Sequence, residues 1–191
     1  TSTALDHGTF VAGLSSATAN NNVGVVGAGF NCRFMPLKVA CEATGQTLYY
    51  GYEAIVYAAD HNAAVINCSW GNFSGNQAGL DVINYATFNR NALVVAAGGN
   101  DPATGALVPY PAQYDNVLAV TGSSNTDLLG SNTRSCRIDV AAPGNSLLCH
   151  PNGGYFSFGG IYTSFAAPVV SGVAGLVRSQ FPNLSAQQVR H

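Results

Sequence analysis

Apolar residues fall into short blocks separated by polar stretches rich in Gly and Asn, and their period changes from block to block. "AAVINCSW" (63–70), "ALVVAAGG" (92–99), "NVLAVTGS" (116–123) and "RIDVAAPG" (137–144) are largely apolar runs, and "FMPLKVA" (34–40) has the same character. Runs of this length without strict polar alternation predict strands buried on both faces. Between them, "LYYGYEAIVYAADHN" (48–62) and "GLDVINYATFNRN" (79–91) space their apolar side chains as helices do. "IYTSFAAPVVSGVAGL" (161–176) opens another helical pattern at Ser164, and "HGTFVAGLSSA" opens one at His7, with Val11, Ala12 and Ala17 on its packed face. Strand–helix alternation with right-handed crossovers predicts an α/β fold, a three-layer sandwich around a mostly parallel central sheet. No linker or break in composition interrupts residues 1–191, so they read as a single domain.

Composition narrows the class. The 191 residues are 47% hydrophobic and only 8% charged, with 22 glycines and a net charge of −2. Low charge with abundant Gly, Asn, Ser and Thr suits a secreted protein. The absence of any basic run excludes nucleic acid as a partner, and no apolar stretch reaches the ~18 residues of a membrane span. "TSTALD" at the start is not a signal peptide. "FPNLSAQQVRH" reads as a helix just begun, with Ser185 as N-cap. Both ends are expected to be interior to a longer protein. Five cysteines without a CxxC pair argue against a zinc cluster. Cys136 and Cys149 flank one turn-containing unit, where a bridge and a pair of free thiols are both open.

In open parallel sheets, ligands gather beyond the carboxyl ends of the strands. This singles out "NCSWGN" (67–72) and "AAGGND" (96–101), two strand ends that break into Gly, Ser and Asn. Ser164 stands at a helix mouth, where unpaired N–H groups and the helix dipole favour developing negative charge. Ala166, Ala167, Gly172, Ala174 and Gly175 then allow that helix to lie close to its neighbours. A serine nucleophile needs a base. Of the four histidines, His7 alone heads a motif, whereas His61 ends a helix, His150 sits in a turn and His191 is terminal. "GVVGAG" (24–29) lacks the spacing of a dinucleotide fingerprint, and "GNFSG" (71–75) is not a G-x-S-x-G elbow.

"DHGTFVAG", "VVAAGGND" and "YTSFAAPVVSGVAGL" resemble, in order, the histidine, oxyanion-asparagine and serine motifs of the subtilisin-like serine proteases. Secondary matches such as "NNNVGVVGAG", "VINCSWG" and "IDVAAPG" extend the resemblance over nearly the whole chain. It implies a secreted endopeptidase that cuts polypeptides through an acyl-enzyme. Ser164 would be the nucleophile, His7 the general base and Asn100 the side-chain donor of the oxyanion hole. Ser69, Trp70 and Gly71 would pair with substrate backbone, and Ala97, Gly98 and Gly99 would form the facing wall of the pocket for the residue before the scissile bond. Small residues there imply an open pocket that takes a large apolar side chain. "TANNNVGVVG" (18–27) resembles a calcium loop, with Ala19, Val23 and Val25 carbonyls and the Asn21 side chain as ligands. An Asn-rich turn without metal stays open beside it.

Two departures matter. The family's catalytic aspartate lies upstream of the histidine in a D-[ST]-G motif, which residues 1–6 do not contain, and Asp6 is a flanking position. The resemblance therefore implies that the aspartate, on a further central strand, comes from a missing N-terminal part. A propeptide is a second implied partner. The 191-residue chain alone is then expected to be close to inactive and poorly stable. Tyr162 stands where the family has glycine. If that position needs a positive φ, tyrosine there is strained by about 1–2 kcal/mol and crowds the leaving-group side. A catalytically inactive, partner-binding module of the same fold is the alternative reading.

Overall fold

The computed structural model describes residues 6–40, 47–102, 107–130 and 132–191. Helix α1 (His7–Ser16) and helix α2 (Gly51–Asp60) precede strand β1 (Val65–Cys68). Helix α3 (Gln77–Asn84) runs into one π-helical turn (Tyr85–Asn89) before β2 (Leu93–Ala97) and β3 (Val117–Ser123). Strand β4 (Val140–Pro143), the short hairpin β5 (Leu148–Cys149) and β6 (Tyr155–Phe156), α4 (Thr163–Gln180) and α5 (Ala186–Arg190) complete it. The four main strands form one sheet in the order β1-β2-β3-β4, every pair parallel.

The apolar runs are continuous because the sheet is covered twice. Val94 and Ala96 of β2, with Val117 and Ala119 of β3, join Ile55, Ala58 and Ile83 of the α2–α3 layer. Leu93, Val95 and Ala97, with Leu118 and Val120, face Ala166, Ala167 and Ala174 of α4. Alternate residues thus serve opposite cores, the signature of a central parallel sheet. The small residues of α4 act as expected. A methyl group on Gly172 would lie 2.5 Å from the Gly29 backbone nitrogen, and one on Gly175 2.9 Å from Cys32 Sγ. Helix α5 starts at Ser185 with a full capping box to Gln188.

Two expectations fail here, and the alternative left open at Cys136 and Cys149 closes on free thiols. Residues 34–40 form no strand, beyond a single bridge from Ala40 to Leu48, and Phe34 and Met35 are exposed. An apolar run becomes a strand only beside a partner, and among the described residues none lies next to it. The outer edge of β1 likewise pairs with no strand among the described residues. Cys136 and Cys149 are both free thiols, as are Cys32 and Cys68; Cys41 lies outside the described residues. On α1 the buried side chain is Phe10, while Val11 and Ala12 are only half-buried.

Candidate active site

Ser164 is the second residue of α4, whose N-cap is Tyr162. The Ser164 hydroxyl therefore does not cap its own helix. Its N–H is among the first of the helix, which have no intrahelical acceptor. Four residues on, Pro168 has no N–H to give, so the Ser164 carbonyl is released from the helical ladder. The Ser69 hydroxyl takes that place and donates to Ser164 O at 2.8 Å, while Asn67 Nδ2 donates to Ser69 Oγ at 2.9 Å. Asn67 Oδ1 in turn accepts from Ser171 Oγ at 2.9 Å, two turns further along α4. The end of β1 is thus bolted to the start of α4.

Asn100 follows β2. Its Oδ1 accepts from the Thr163 backbone N–H at 2.7 Å and from Thr163 Oγ1 at 2.9 Å. Two donors on one amide atom identify that atom as oxygen, so the NH₂ end is the one left to face outward. Thr163 is fully buried and its Oγ1 accepts from Gly99 N at 3.2 Å. One threonine therefore holds the loop after β2 against the serine-bearing turn. Sequence reasoning missed Thr163, Pro168 and the way Ser69 acts. The four-residue spacing from Ser164 to Pro168 was a legible signal for the last two.

His7 is reached differently. It opens α1, which packs alongside α4, and its ring lies 5.7 Å from the Phe165 ring, the residue after Ser164. Phe165 stacks on Phe158 at 5.5 Å and meets Phe10 edge-on at 6.3 Å, and Phe156 joins the group. Burial pushes the His7 imidazole below its usual 6.5, favouring the neutral form. No hydrogen bond joins His7 to Ser164 among the described residues, a common looseness in substrate-free sites. The chain brings the histidine and serine ends together, and an aromatic cluster does it.

Tyr162 departs from expectation. Its φ is −123°, extended backbone that any residue adopts, so no strain attaches to it. Its ring packs on Phe158 and Phe165 at 5.7 and 5.6 Å. There it lines, without filling, a cavity of about 620 Å³ that Asn100, Arg134 and Ile161 also border.

The Trp70 indole turns onto α2, edge-on to Tyr52 at 5.8 Å, and Ala97 belongs to the α4 core. Gly98 is covered by Ile138, which a methyl group there would approach to 2.4 Å. Buried Pro109 packs against both Gly71 and Gly99, 2.9 and 3.1 Å from where methyl groups on them would sit.

The loop at 18–27 holds itself together. Asn21 Oδ1 accepts from Val23 N at 3.0 Å, Asn20 and Asn22 take positive φ, and Gly27 N closes the loop on Ala17 O at 2.9 Å. Ala19, Asn21, Val23 and Val25 offer at most four oxygens, all neutral. Calcium takes six to eight, so these residues alone do not fit a complete site.

The subtilase family model matches residues 1–191, and the chain belongs to that family. It is 38% identical over 177 residues to thermitase of Thermoactinomyces vulgaris, covering 91% of this chain and 61% of thermitase. It is 36% identical over 187 residues to a halolysin-like extracellular serine protease of Natrialba magadii, covering 97% of this chain and 34% of that protein. A solved protease from Pseudoalteromonas arctica PAMC 21717 superimposes with a TM-score of 0.84 at 26% identity, over 96% of this chain and 61% of that one. The chain thus spans less than two thirds of these relatives' length. No helix among the described residues is long and apolar enough to cross a membrane.

Proposed function

We propose that the protein is a secreted serine endopeptidase acting on polypeptides through an acyl-enzyme. The observation that carries this reading is the Thr163–Asn100 lock beside Ser164, which aims the Asn100 amide N–H outward. Ser164 Oγ attacks the substrate carbonyl while the neutral His7 imidazole takes its proton. The oxyanion that forms accepts hydrogen bonds from Asn100 Nδ2 and the Ser164 N–H, donors fixed before the reaction starts. Collapse expels the amine, which takes the proton from His7. Water, deprotonated by His7, then cleaves the acyl ester and frees the acid and Ser164.

An aspartate from outside residues 1–191 completes the set, on a strand laid along the open edge of β1. It fixes the His7 tautomer and steadies the imidazolium, and without it the 191 residues alone turn over very slowly, by about 10⁴-fold in kcat. Secretion rests on the low charge and on the extracellular relative. Calcium at 18–27 belongs to this reading only with further ligands from beyond these residues. The inactive-module alternative rested on Tyr162 and on the missing aspartate, and the extended φ of Tyr162 removes the strain from the first of these grounds. A fluorophosphonate probe on the full-length protein tests the proposal. Labelling that disappears in Ser164→Ala is expected, and a folded protein that neither labels nor hydrolyses peptides overturns it.

A further inference from the structure

The cavity that borders Asn100 and Tyr162 has a chemistry of its own. At about 620 Å³ it falls in the range of sites that accept ligands, ~300–1,000 Å³. Glycines at 130, 159 and 160 form part of its wall, and a methyl group on Gly159 would meet nothing within 4 Å, so that side stands open. Among the described residues that line it, Arg134 alone is charged. Arg134 also borders a second cavity of about 260 Å³, which shares Leu129 and Gly130 with the first.

The charge of Arg134 is unanswered. Arg90, Arg137 and Arg190 are each ion-paired, with Asp60, Asp115 and Asp139, and Arg178 donates to the carbonyls of Leu184 and Asn91. The Arg134 guanidinium has no such partner among the described residues. Its backbone is nevertheless fixed. Thr133, just before it, donates its N–H to Gly99 O and its hydroxyl to Asp101 O, both at 3.1 Å, on either side of Asn100. Buried Asn132 donates to Gly122 O at 3.0 Å. Across the cavity the Tyr162 N–H is held by Gly144 O at 2.9 Å. The segment that carries Arg134 is thus tied to the loop that carries Asn100. A guanidinium on such a base, with open space before it, is a receptor for a carboxylate, which it meets with two parallel hydrogen bonds.

We infer that Arg134 is a specificity-determining residue. The cavity takes a part of the substrate adjoining the bond that is cut, and Arg134 selects a carboxylate in it, from an acidic side chain or from a chain terminus. The inference rests on the protease reading for the bond that is cut, whereas the cavity and its charge do not. Arg134 is exposed in the free protein, so the pair forms partly in water and its gain is modest and sensitive to salt.

The test uses full-length protein and two readouts. Peptides carry a single Glu, or Gln at the same place, stepped through the positions on both sides of the cut. A further pair ends in a free carboxylate or in an amide. Values of kcat/KM are measured for each, and calorimetry measures binding of the same peptides to Ser164→Ala. At one position, or at the free terminus, the carboxylate is expected to raise both quantities about fivefold or more at low salt. That gain should shrink in 1 M NaCl, where charges are screened beyond ~3 Å. Arg134→Gln is expected to abolish the preference for the carboxylate and Arg134→Glu to reverse it, each checked for a native melt, while Arg134→Lys keeps part of it. Equal handling of carboxylate and amide at every position and at the terminus overturns the inference. So does a preference that survives in both folded charge variants. Tighter binding of the carboxylate peptides with no hydrolysis of any peptide upholds the cavity and overturns the protease reading instead.

Discussion

The serine end and the histidine end of the site are built by different forces. Around Ser164, five polar contacts from β1, the loop after β2 and α4 itself set positions to within a hydrogen bond. Around His7, among the described residues, rings and a helix–helix contact do so. Hydrogen bonds are directional and fix an atom, whereas ring packing fixes a body and leaves the orientation of the imidazole to whatever donor or acceptor meets it. On the proposed reading, the nucleophile and its oxyanion hole are therefore preorganised within these residues, and the base is brought close but still needs an orienting partner.

The largest test of this contrast falls on the apolar side. Phe165→Ala removes a side chain only 3% exposed, from the centre of the ring cluster. It should cost about 3–5 kcal/mol of stability, read by denaturant melts of the full-length protein. A loss under 1 kcal/mol would mean that the cluster does not hold α1 on α4. Asn100→Ala should lower kcat/KM by about 10²–10³-fold, about 2.7–4 kcal/mol, the size of the loss subtilisin suffers with its own oxyanion asparagine. Stability should fall by a smaller amount, about 1–3 kcal/mol, because buried Thr163 loses the acceptor for its N–H and hydroxyl. A fall in stability with kcat/KM unchanged would reduce Asn100 to a structural brace.

Ser69→Ala leaves the Ser164 carbonyl with neither the Pro168 donor nor the hydroxyl. An unsatisfied acceptor costs about 1–3 kcal/mol, so a roughly tenfold fall in kcat with KM little changed is expected, and kinetics indistinguishable from wild type would show the bolt to be idle. The smallest effect is titration of His7. Its pKa is lowered on folding by burial, so the unfolded state binds the proton more readily and protonation favours unfolding. The stability contributed by the neutral imidazole is complete above pH 6.5 and is lost as pH falls below 6.5 through the lower folded value. His7→Gln should flatten that limb of the stability–pH curve, and an unchanged limb would assign it to other groups.

What the chain shows by itself follows from how local each cause is. Strands β2 and β3 were legible because burial on both faces demands unbroken apolar runs. Strand β4 carries the same kind of run although only Ala142 of its four residues is buried, against the expectation of burial on both faces. The α4 start was legible because small residues and a proline follow Ser164 within one turn. Residues 34–40 misled because their pattern states a preference for pairing and says nothing of whether a partner is present. Tyr162 misled because a residue that replaces glycine was read as inheriting glycine's φ, and the observed backbone does not need it. Pro109 was silent for a different reason. A proline in "LVPYP" reads as a turn, and only the fold shows that the turn is delivered between two glycines some distance away along the chain.

The α1–α4 contact has a consequence for timing. His7 and Ser164 stand about 157 residues apart, and at ~5–20 residues per second the ribosome needs roughly 8 to 31 s to pass from one to the other. Helix α4, with Ala186 and Val189 of α5, also covers one face of β2 and β3. Throughout that interval His7 and the sheet strands are made, and neither Ser164 nor the layer that shelters the strands exists. Compactness therefore arrives late. On the proposed reading competence arrives with it, so a nascent chain of this design would not cut its neighbours or itself while it is being synthesised, and over the same interval its exposed strands are at their most vulnerable to any protease that is already complete.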